Sequence, residues 1–266
     1  MSDKFENLKK YLGELESFAV AFSGGVDSTF LLKVAHDLLG EKIIAVTIDS
    51  EFLTRQEVEE TKNFCELENI KQIFCKVEAL KIDGLKENPK NRCYVCKKNL
   101  FQRLLKIADE NNLKYVVEGS NADDTKDFRP GFQAIKELDI KSPLLYAGLT
   151  KNEIRELSKN LNLQTWDKPS FACLASRFVF GENITHKKLE MVAQAENFLR
   201  QKNFSQFRVR IHDKMARIEI LPSEFEKIFV GDMREEILKK FKNFGFSYVA
   251  LDLQGYRTGS MNEVIL

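Results

Sequence analysis

The sequence predicts an α/β protein: a doubly wound parallel sheet covered by helices, followed by a small C-terminal α+β domain. Three observations predict this fold. Short apolar strands alternate with helical patterns through the first two-thirds of the chain, a Gly-rich turn follows the first strand, and period-two alternation appears after Gly181. The 266 residues suffice for two domains. We expect an α/β domain at residues 1–166, a functional loop at 167–181 and an α+β domain at 182–266.

Alternating strands and helices define the first domain. Strands are predicted at residues 18–22, 43–48, 72–77 and 115–118, and helices at residues 29–39, 54–66 and 99–111. This alternation is typical of βαβ units, which build a parallel sheet with right-handed crossovers. Ligands of such sheets bind at the carboxyl ends of the strands, where Ser23, Asp49 and Gly119 lie.

Two segments without a clear period interrupt this pattern, and a new pattern follows them. Residues 81–98 and 166–181 are expected to be loops, because they combine Pro, Gly and polar residues. Thr150, with Glu153 three residues later, forms a capping box that starts a helix ending near residue 160. Further along, the sequence predicts a helix at 185–202, half-buried strands at 207–212 and 216–220, a helix at 235–243 and a strand at 248–253.

The turn after the first strand carries the clearest chemical signal, the sequence SGGVDS. Gly24 and Gly25 let backbone N–H groups approach an anion, and the following helix directs its positive end at the same place. Ser23 and Ser28 add hydroxyl donors, and the Asp27 carboxylate suits a Mg²⁺ ion that neutralises phosphate charge. Because no Lys follows the glycines, the turn is not a Walker A loop.

Composition and charge exclude several classes of protein. The formal net charge of +1 provides no global basic field for nucleic acid, although a local patch would suffice. No apolar stretch approaches the ~20 residues that a membrane span needs, so we expect a cytoplasmic protein without membrane contact. Five cysteines without a secretion signal argue against a disulfide framework and favour metal or catalytic use.

Three cysteines form the second chemical signal. Cys93 and Cys96 make a CxxC pair in one predicted loop, and Cys173 lies in the other. Three interpretations stay open: small hydrophobic residues that pack a loop, a zinc site completed by a histidine, or a [4Fe–4S] cluster with one iron left open. A thioredoxin-type redox couple is disfavoured, because such a pair is expected at a helix start just after the first strand. Cys65 and Cys75 lie on a predicted helix and strand, and we expect both to pack in the core.

Motifs spread over essentially the whole chain resemble those of the LarE family. The motifs are SGGVDS, NRCYVCK, GSNADD, RPG, KPSFACLASR and GYRTGSMNE. LarE proteins are ATP-dependent sulfur transferases within the N-type ATP pyrophosphatases, which have the adenine nucleotide alpha hydrolase-like fold. The resemblance implies adenylation of a pyridinium dicarboxylate mononucleotide on a carboxylate, followed by sulfur insertion to give a thiocarboxylate. The product leads to the nickel-pincer cofactor of lactate racemase.

The resemblance also implies the site residues. The SGGVDS loop would hold ATP and Mg²⁺, and the adenine ring would lie near Ile48. Asp123 would either bind Mg²⁺ or cap a loop. Arg129 would either contact phosphate or pair with a neighbouring residue. The substrate's own phosphate would be held by residues of the second loop and of the C-terminal domain. These are Ser176, Arg177, Arg208 and Arg210, with Glu196 either orienting an arginine or facing water.

The family uses two sulfur sources, and the cysteines help to choose between them. Some members sacrifice one cysteine, which here would be Cys173, whereas others hold a [4Fe–4S] cluster with three cysteines. Because Cys93 and Cys96 would serve no purpose in the sacrificial scheme, we favour the cluster. A sulfide source and a homo-oligomer, a hexamer in the family pattern, follow from the resemblance. A tRNA thiolation enzyme, an NAD synthetase-like amidotransferase and an ATP-sensing module are the competing functions.

Overall fold

A computed structural model describes residues 3–126, 131–169, 172–257 and 260, with only the backbone of residues 125 and 126. Its helices are α1 (Asp3–Leu15), α2 (Val26–Leu39), α3 (Arg55–Leu67), α4 (Arg92–Glu110), α5 (Gly131–Glu137), α6 (Pro143–Tyr146), α7 (Lys151–Asn160), α8 (His186–Gln201) and α9 (Met233–Phe244). Its strands are β1 (Phe18–Ala21), β2 (Ile43–Ser50), β3 (Gln72–Val77), β4 (Tyr115–Val117), β5 (Phe207–His212), β6 (Met215–Ile220) and β7 (Tyr248–Leu251). Of the residues of α4, only Arg92 lies outside the compact unit that contains Cys93–Phe171.

The chain divides into two compact units. Unit 1 comprises Met1–Glu78 and Cys93–Phe171, and unit 2 comprises Ala79–Arg92 and Ala172–Leu266. This division differs from the predicted domain boundaries, because residues 79–92 group with the C-terminal part of the chain. Hydrogen bonds within unit 2 account for the difference: the Gly181 N–H donates to the carbonyl of Asn88 at 2.9 Å.

Unit 1 contains the predicted parallel sheet. In the described part of the chain this sheet has the order β3-β2-β1-β4, and every neighbouring pair is parallel. Phe18 of β1 pairs with Ile43 on one side and with Tyr115 on the other. Because β1 lies between two strands and helices pack around it, its apolar residues Phe18 to Val20 are completely buried. The α/β fold class predicted from the sequence is therefore confirmed.

The helices of unit 1 begin where local chemistry provides a cap. Thr54 and Thr150 accept hydrogen bonds from the N–H groups of Glu57 and Glu153, and both glutamates bond back to the capping residue. These two capping boxes satisfy backbone donors at the starts of α3 and α7. Helix α2 is different, because Gly25 is its N-cap residue and no described side chain caps it. Its first turn therefore keeps backbone donors for another acceptor.

The structure corrects one predicted loop. The CxxC pair does not lie in a loop at 81–98, because α4 begins at Arg92 and contains both Cys93 and Cys96 in its first turns. The Arg92 N–H donates to the carbonyl of Pro89 at 2.9 Å, so the helix starts directly after the proline that suggested a break. Gly84 and Pro89 therefore lie in an irregular segment that ends before Arg92, and the two cysteines belong to the helix that follows.

Unit 2 is built on a smaller sheet of mixed type. Within the described residues its order is β5-β6-β7, with β5 and β6 antiparallel and β6 and β7 parallel. The expectation that β5 is half-buried was wrong, because Arg208, Val209 and Arg210 are at most 5% exposed. Helix α8 and the short 3₁₀ turn at Leu174–Arg177 both pack against β5, which leaves its arginine side chains inside the unit. Among the described helices, none is long and apolar enough to cross a membrane.

Candidate functional site

The loop between β1 and α2 has the geometry of an anion site. Gly24 adopts φ +69°, a conformation that residues with a side chain rarely adopt, and Gly25 begins α2. A Cβ at position 24 would lie 2.9 Å from the Cγ2 atom of Thr61, so the neighbouring helix also requires glycine there. The first turn of α2 directs its N–H groups and positive dipole end at the carboxyl edge of the sheet.

The two serines of this loop are bonded to each other. The hydroxyl groups of Ser23 and Ser28 lie 3.1 Å apart, and the Ser28 hydroxyl also accepts from the Ser23 N–H at 3.3 Å. Ser28 in turn donates to the carbonyl of Gly25 at 3.3 Å. Ser28 is buried and Ser23 is exposed. Ser28 therefore closes the loop on itself, and its hydrogen-bond partner Ser23 is the solvent-exposed residue of the pair.

The end of β4 comes close to the same helix start. A Cβ at Gly119 would lie 3.1 Å from the backbone nitrogen of Ser28, which is tighter than most real Cβ contacts. Glycine at this position therefore allows the chain after β4 to contact the first turn of α2. Because β1 lies between β2 and β4, the strand order reverses at this point, where parallel sheets bind their ligands.

Asp27 lies beside this loop with a partner that the sequence analysis did not predict. Its carboxylate forms an ion pair with Nζ of Lys151 and accepts a hydrogen bond from Nδ2 of Asn121 at 3.3 Å. Lys151 is the first residue of α7, so the predicted capping box at Thr150 also places this lysine. A basic residue thus reaches the loop from elsewhere in the chain, although no lysine follows its glycines.

A second distant lysine, Lys168, was also missed by the sequence analysis. Its Nζ atom donates to the carbonyl of Gly24 at 2.8 Å and lies 2.6 Å from a carboxylate oxygen of Glu60. In the sequence, Lys168 is notable only as the first residue of the KPSFACLASR motif. No spacing rule links residue 168 to residue 24, so its contact with the loop became visible only in the structure.

The remaining predicted nucleotide residues fall at or near the same edge. Ile48 is half-buried near the carboxyl end of β2, where it pairs with Cys75. Asp123 accepts the N–H of Lys151 at 2.9 Å and so caps the start of α7, which is the capping role left open by the sequence. Arg129 lies outside the described residues, and its predicted phosphate contact stays a prediction.

In unit 2, Arg177 and Glu196 form a buried ion pair. Nε and Nη2 of Arg177 each donate to one carboxylate oxygen of Glu196 at 2.8 Å, and both side chains are almost inaccessible to solvent. Burial by itself would raise the pKa of Glu196, but the charge and hydrogen bonds of Arg177 outweigh it and hold that pKa below its ordinary value. Glu196 therefore orients an arginine and does not face water.

The third nitrogen of Arg177 holds the segment around Cys173. Nη1 donates to the carbonyl of Ala172 at 2.6 Å, to the carbonyl of Cys173 at 3.1 Å and to the hydroxyl of Ser176 at 2.8 Å. All three guanidinium nitrogens are thus engaged within the protein. This geometry favours a positioning role for Arg177 over the direct phosphate contact that the sequence analysis assigned to it.

Arg210 connects the same turn to the sheet. Its Nη1 donates to the carbonyl of Ser176 at 2.8 Å, and its Nη2 donates to Glu219 and to the Ser260 hydroxyl, both at 2.9 Å. Its Nε atom is buried and has no hydrogen-bond partner among the described atoms. A buried guanidinium donor of this kind can bond an anionic ligand.

Arg208 lies on the same strand face in a strongly positive environment. Burial, followed by the neighbouring charge of Arg177, lowers the pKa of Arg208 to about 10. The Tyr256 ring packs 5.1 Å from this guanidinium. Because the charged form of Arg208 is disfavoured here relative to water, an added negative charge nearby would be stabilised.

The five cysteines separate into two groups by burial. Cys93 and Cys173 are exposed and Cys96 is half-buried, whereas Cys65 and Cys75 are buried. Burial raises the pKa of Cys65 to about 12, so this thiol stays protonated. The expectation that Cys65 and Cys75 pack in the core is confirmed.

The segments that adjoin Cys93 and Cys173 meet within unit 2. Arg92, which directly precedes Cys93, is 5% exposed and donates through Nη1 to Oδ1 of Asn88 and, at 2.8 Å, to the carbonyl of Ala175. Asn88 in turn donates through Nδ2 to the carbonyl of Val179 at 2.6 Å. The residue before one exposed thiol and the turn after another therefore share one buried hydrogen-bond network.

The donor atoms of the described residues suit both of the metal groups expected from the sequence. A carboxylate such as Asp27, together with the oxygens of a bound phosphate, suits Mg²⁺. Thiols outside the core suit an iron–sulfur cluster, for which Cys93, Cys96 and Cys173 supply three. The described residues nevertheless contain no assembled group of three or more His, Cys, Asp or Glu side chains that could hold a metal ion.

Comparisons with known proteins agree with this arrangement. Residues 1–128 match the PP-loop domain family. The chain is 41% identical over 266 residues to an uncharacterized protein of Synechocystis sp., covering 100% of this chain and 99% of the relative. It is 34% identical over 266 residues to the pyridinium-3,5-bisthiocarboxylic acid mononucleotide synthase of Lactiplantibacillus plantarum, covering 100% of this chain and 96% of that protein.

A third relative extends the comparison to archaea. An uncharacterized protein of Methanocaldococcus jannaschii is 32% identical over 258 residues, which are 97% of this chain and 94% of the relative. The matches thus include the Gly-rich loop of unit 1 and the arginine-rich strand of unit 2. On the strength of this full-length similarity and of the PP-loop at the switch point of the sheet, the chain belongs to the LarE family of N-type ATP pyrophosphatases.

Proposed function

We propose that this protein is an ATP-dependent sulfurtransferase that adenylates a carboxylate of a pyridinium dicarboxylate mononucleotide and converts it into a thiocarboxylate. The product would serve the nickel-pincer cofactor of lactate racemase. The observation that carries the proposal is the PP-loop at the switch point of the sheet, in a chain that is 34% identical over its full length to a synthase of that bisthiocarboxylic acid mononucleotide.

Adenylation is the task of unit 1. A carboxylate is a poor electrophile, and its attack on the α-phosphorus of ATP with loss of pyrophosphate gives it AMP as a good leaving group. The N–H groups at the start of α2 and the Ser23 hydroxyl would hold the departing pyrophosphate. Asp27 would hold Mg²⁺, which neutralises phosphate charge when bound, and Ile48 would contact adenine. The positive charge of Lys151, which pairs with Asp27, would partly neutralise the negative charges of Asp27 and of the phosphates.

Binding of the substrate's own phosphate is the task of unit 2. Arg208 and Arg210 supply two guanidinium groups on one strand face, and Ser176 supplies a hydroxyl group. The buried Nε of Arg210 and the lowered pKa of Arg208 both favour an anion at this place. Glu196 and Arg177 would act by holding the turn at Leu174–Arg177 in position.

Sulfur delivery is assigned to Cys93, Cys96 and Cys173. We propose them as the thiolate ligands of a [4Fe–4S] cluster, which when bound would supply sulfide as the sulfur nucleophile. Three exposed or half-buried thiols and the hydrogen-bond network beside two of them support this assignment. A cytoplasmic location stays a prediction from the sequence, and an external sulfide source and a hexameric assembly stay predictions from the family.

Pyrophosphate release tests the proposed reaction against its rivals. Purified protein with Mg²⁺ and ATP is expected to release pyrophosphate when the pyridinium dicarboxylate mononucleotide is added. Unmodified tRNA or nicotinic acid adenine dinucleotide with ammonia should release none, since the first tests tRNA thiolation and the second tests an NAD synthetase-like reaction. Release with either of these and none with the mononucleotide would overturn the proposal, and release with no added acceptor would indicate simple ATP hydrolysis.

A further inference from the structure

Lys168 holds the Gly-rich loop from the side of α3. Its Nζ atom lies 2.8 Å from the carbonyl oxygen of Gly24 and 2.6 Å from the Glu60 carboxylate. The Lys168 side chain is only 19% exposed, whereas that of Glu60 is 40% exposed. Two acceptors thus hold the ammonium group in a largely buried position.

The segment that carries Lys168 is itself fixed to α7. Arg155 donates through Nη2 to the carbonyl of Lys168 at 2.8 Å and through Nη1 to the carbonyl of Trp166 at 2.7 Å. The first residue of the same helix, Lys151, pairs with Asp27. Helix α7 therefore fixes both lysines that reach the loop, one directly and one through its hold on residues 166–168.

The contact with Gly24 determines the direction of a backbone donor. In a planar trans peptide the C=O of one residue and the N–H of the next point in opposite directions. When Lys168 holds the Gly24 carbonyl toward α3, the Gly25 N–H points away from α3. Gly25 is the N-cap residue of α2, so this N–H belongs to the group of donors at the positive end of that helix.

Because residue 24 is glycine, the orientation of the Gly24–Gly25 peptide depends on a contact such as the one with Lys168. With φ +69° and no side chain, the Gly24 peptide can rotate more easily than one flanked by larger residues. A side chain at position 24 could not supply the missing restraint, because its Cβ would lie 2.9 Å from the Cγ2 atom of Thr61. The hydrogen bond from Lys168 restrains the Gly24 carbonyl instead.

We propose that Lys168 is a positioning residue that orients the Gly24–Gly25 peptide for pyrophosphate binding, with Glu60 as its anchor. The inference rests on the proposed function, because it assigns a means of control to the same phosphate site. In this role Lys168 acts through the backbone, because Gly24 and Glu60 both accept hydrogen bonds from its ammonium group. The ligand on which it acts is the pyrophosphate portion of ATP, or inorganic pyrophosphate itself.

The test compares Lys168→Met with the matched control Lys159→Met, in the full chain. Lys159 lies near the end of α7 with its ammonium group 4.8 Å from the Trp166 ring centre, so its substitution removes the same charge without reaching the loop. Calorimetry with Mg²⁺ and inorganic pyrophosphate is expected to show about tenfold weaker binding for Lys168→Met. Binding of AMP, which lacks the β- and γ-phosphates, should change by less than about twofold in every variant.

Two further measurements separate positioning from simple support of the fold. Pyrophosphate should shift the NMR resonance of the Gly25 amide in the wild type and in Lys159→Met, and this shift should shrink in Lys168→Met. Glu60→Gln should weaken pyrophosphate binding in the same direction but less, and Lys168→Arg should restore part of the loss. Wild-type pyrophosphate affinity and Gly25 shift in Lys168→Met would overturn the inference, as would an equal loss of AMP binding.

The outcome is independent of whether the proposed reaction is correct. Inorganic pyrophosphate binding requires neither the mononucleotide nor sulfur chemistry. If the wild type binds inorganic pyrophosphate but releases no pyrophosphate from ATP when the mononucleotide is added, the proposed function fails. The positioning role of Lys168 is still decided by the binding measurements. If Lys168→Met does not fold, Glu60→Gln still tests the role of the lysine, because wild-type pyrophosphate affinity together with a wild-type Gly25 shift in this variant would contradict it.

Discussion

At the scale of single residues, unit 2 is unusual for the charge that it buries. Glu196 is completely enclosed and keeps its negative charge because Arg177 donates two hydrogen bonds to it. A buried ion pair adds little net stability by itself, but removing one partner leaves the other charge uncompensated. The pair is therefore better understood as a device that fixes the turn beside Cys173.

Glu196→Gln is expected to destabilise the protein by about 3 kcal/mol at neutral pH, because it leaves the Arg177 charge buried without its counter-charge. Urea unfolding followed by circular dichroism measures the difference. Glu190→Gln on the same helix is the control, since Glu190 accepts only an exposed hydrogen bond from Gln194 among those described. Equal stability of Glu196→Gln and wild type would contradict the buried charge pair.

The same variant predicts a pH dependence with a definite sign. The folded-state pKa of Glu196 lies below its ordinary value of 4.5, so ionised Glu196 stabilises the folded state above that pH. This stabilisation is lost as the pH falls through the lowered pKa. The advantage of the wild type over Glu196→Gln should therefore be constant at neutral pH and shrink below pH 4.5. A stability difference that grows on acidification would contradict the direction of the pKa shift.

Arg208 provides a test of the proposal that ATP binds in unit 1 and the substrate's own phosphate binds in unit 2. Arg208→Gln should weaken binding of the mononucleotide substrate about tenfold while ATP binding stays within about twofold of wild type. Isothermal calorimetry with each ligand separately measures both. Arg200→Gln is the control, because Arg200 is half-buried in the last turn of α8, with its guanidinium 5.9 Å from the Phe207 ring centre. Equal loss of both ligands in Arg208→Gln would contradict the assignment.

At the scale of elements, the sequence predicted most helix and strand positions but missed the contacts between them. Strand β3 matches its predicted range at 72–77, and the capping box at Thr150 placed the start of α7. The start of α4 was missed, because Pro89 and the polar residues before Cys93 resemble a continued loop. Lys151 and Lys168 were missed because local periodicity carries no information about which side chain reaches a distant loop.

The corrected position of the CxxC pair leads to a prediction about iron. Cys93 and Cys96 are three residues apart on α4 and therefore lie on one side of it. After anaerobic reconstitution, the wild type should hold iron and acid-labile sulfide and absorb in the visible range. Cys93→Ser, Cys96→Ser and Cys173→Ser should each lose most of this iron.

Cys65→Ala is the matched control for the iron measurement. Its thiol is buried and its pKa is raised to about 12, so its removal should leave the iron content unchanged. Iron that depends equally on Cys65 would indicate adventitious binding. A wild type without iron, in which mass spectrometry finds dehydroalanine at position 173 after turnover, would replace the cluster with the sacrificial scheme.

At the scale of the whole molecule, the proposed function assigns different chemistry to the two units. Unit 1 supplies a PP-loop at the switch point of a parallel sheet, and unit 2 supplies buried guanidinium groups around a turn that follows an exposed cysteine. The chain passes from unit 2 to unit 1 immediately before Cys93, and it returns to unit 2 immediately before Ala172, which precedes Cys173. Two of the three proposed sulfur-site residues thus lie where the chain changes unit.

Thiocarboxylate formation in a single anaerobic turnover tests this assignment most directly. Reconstituted protein, ATP, Mg²⁺ and the pyridinium dicarboxylate mononucleotide are mixed, and the products are analysed by mass spectrometry. Pyrophosphate, AMP and a mononucleotide in which sulfur replaces one carboxylate oxygen should form in equal amounts. Pyrophosphate and AMP without any sulfur-containing product, from protein that carries its iron and sulfide, would contradict sulfur transfer as the function of this chain.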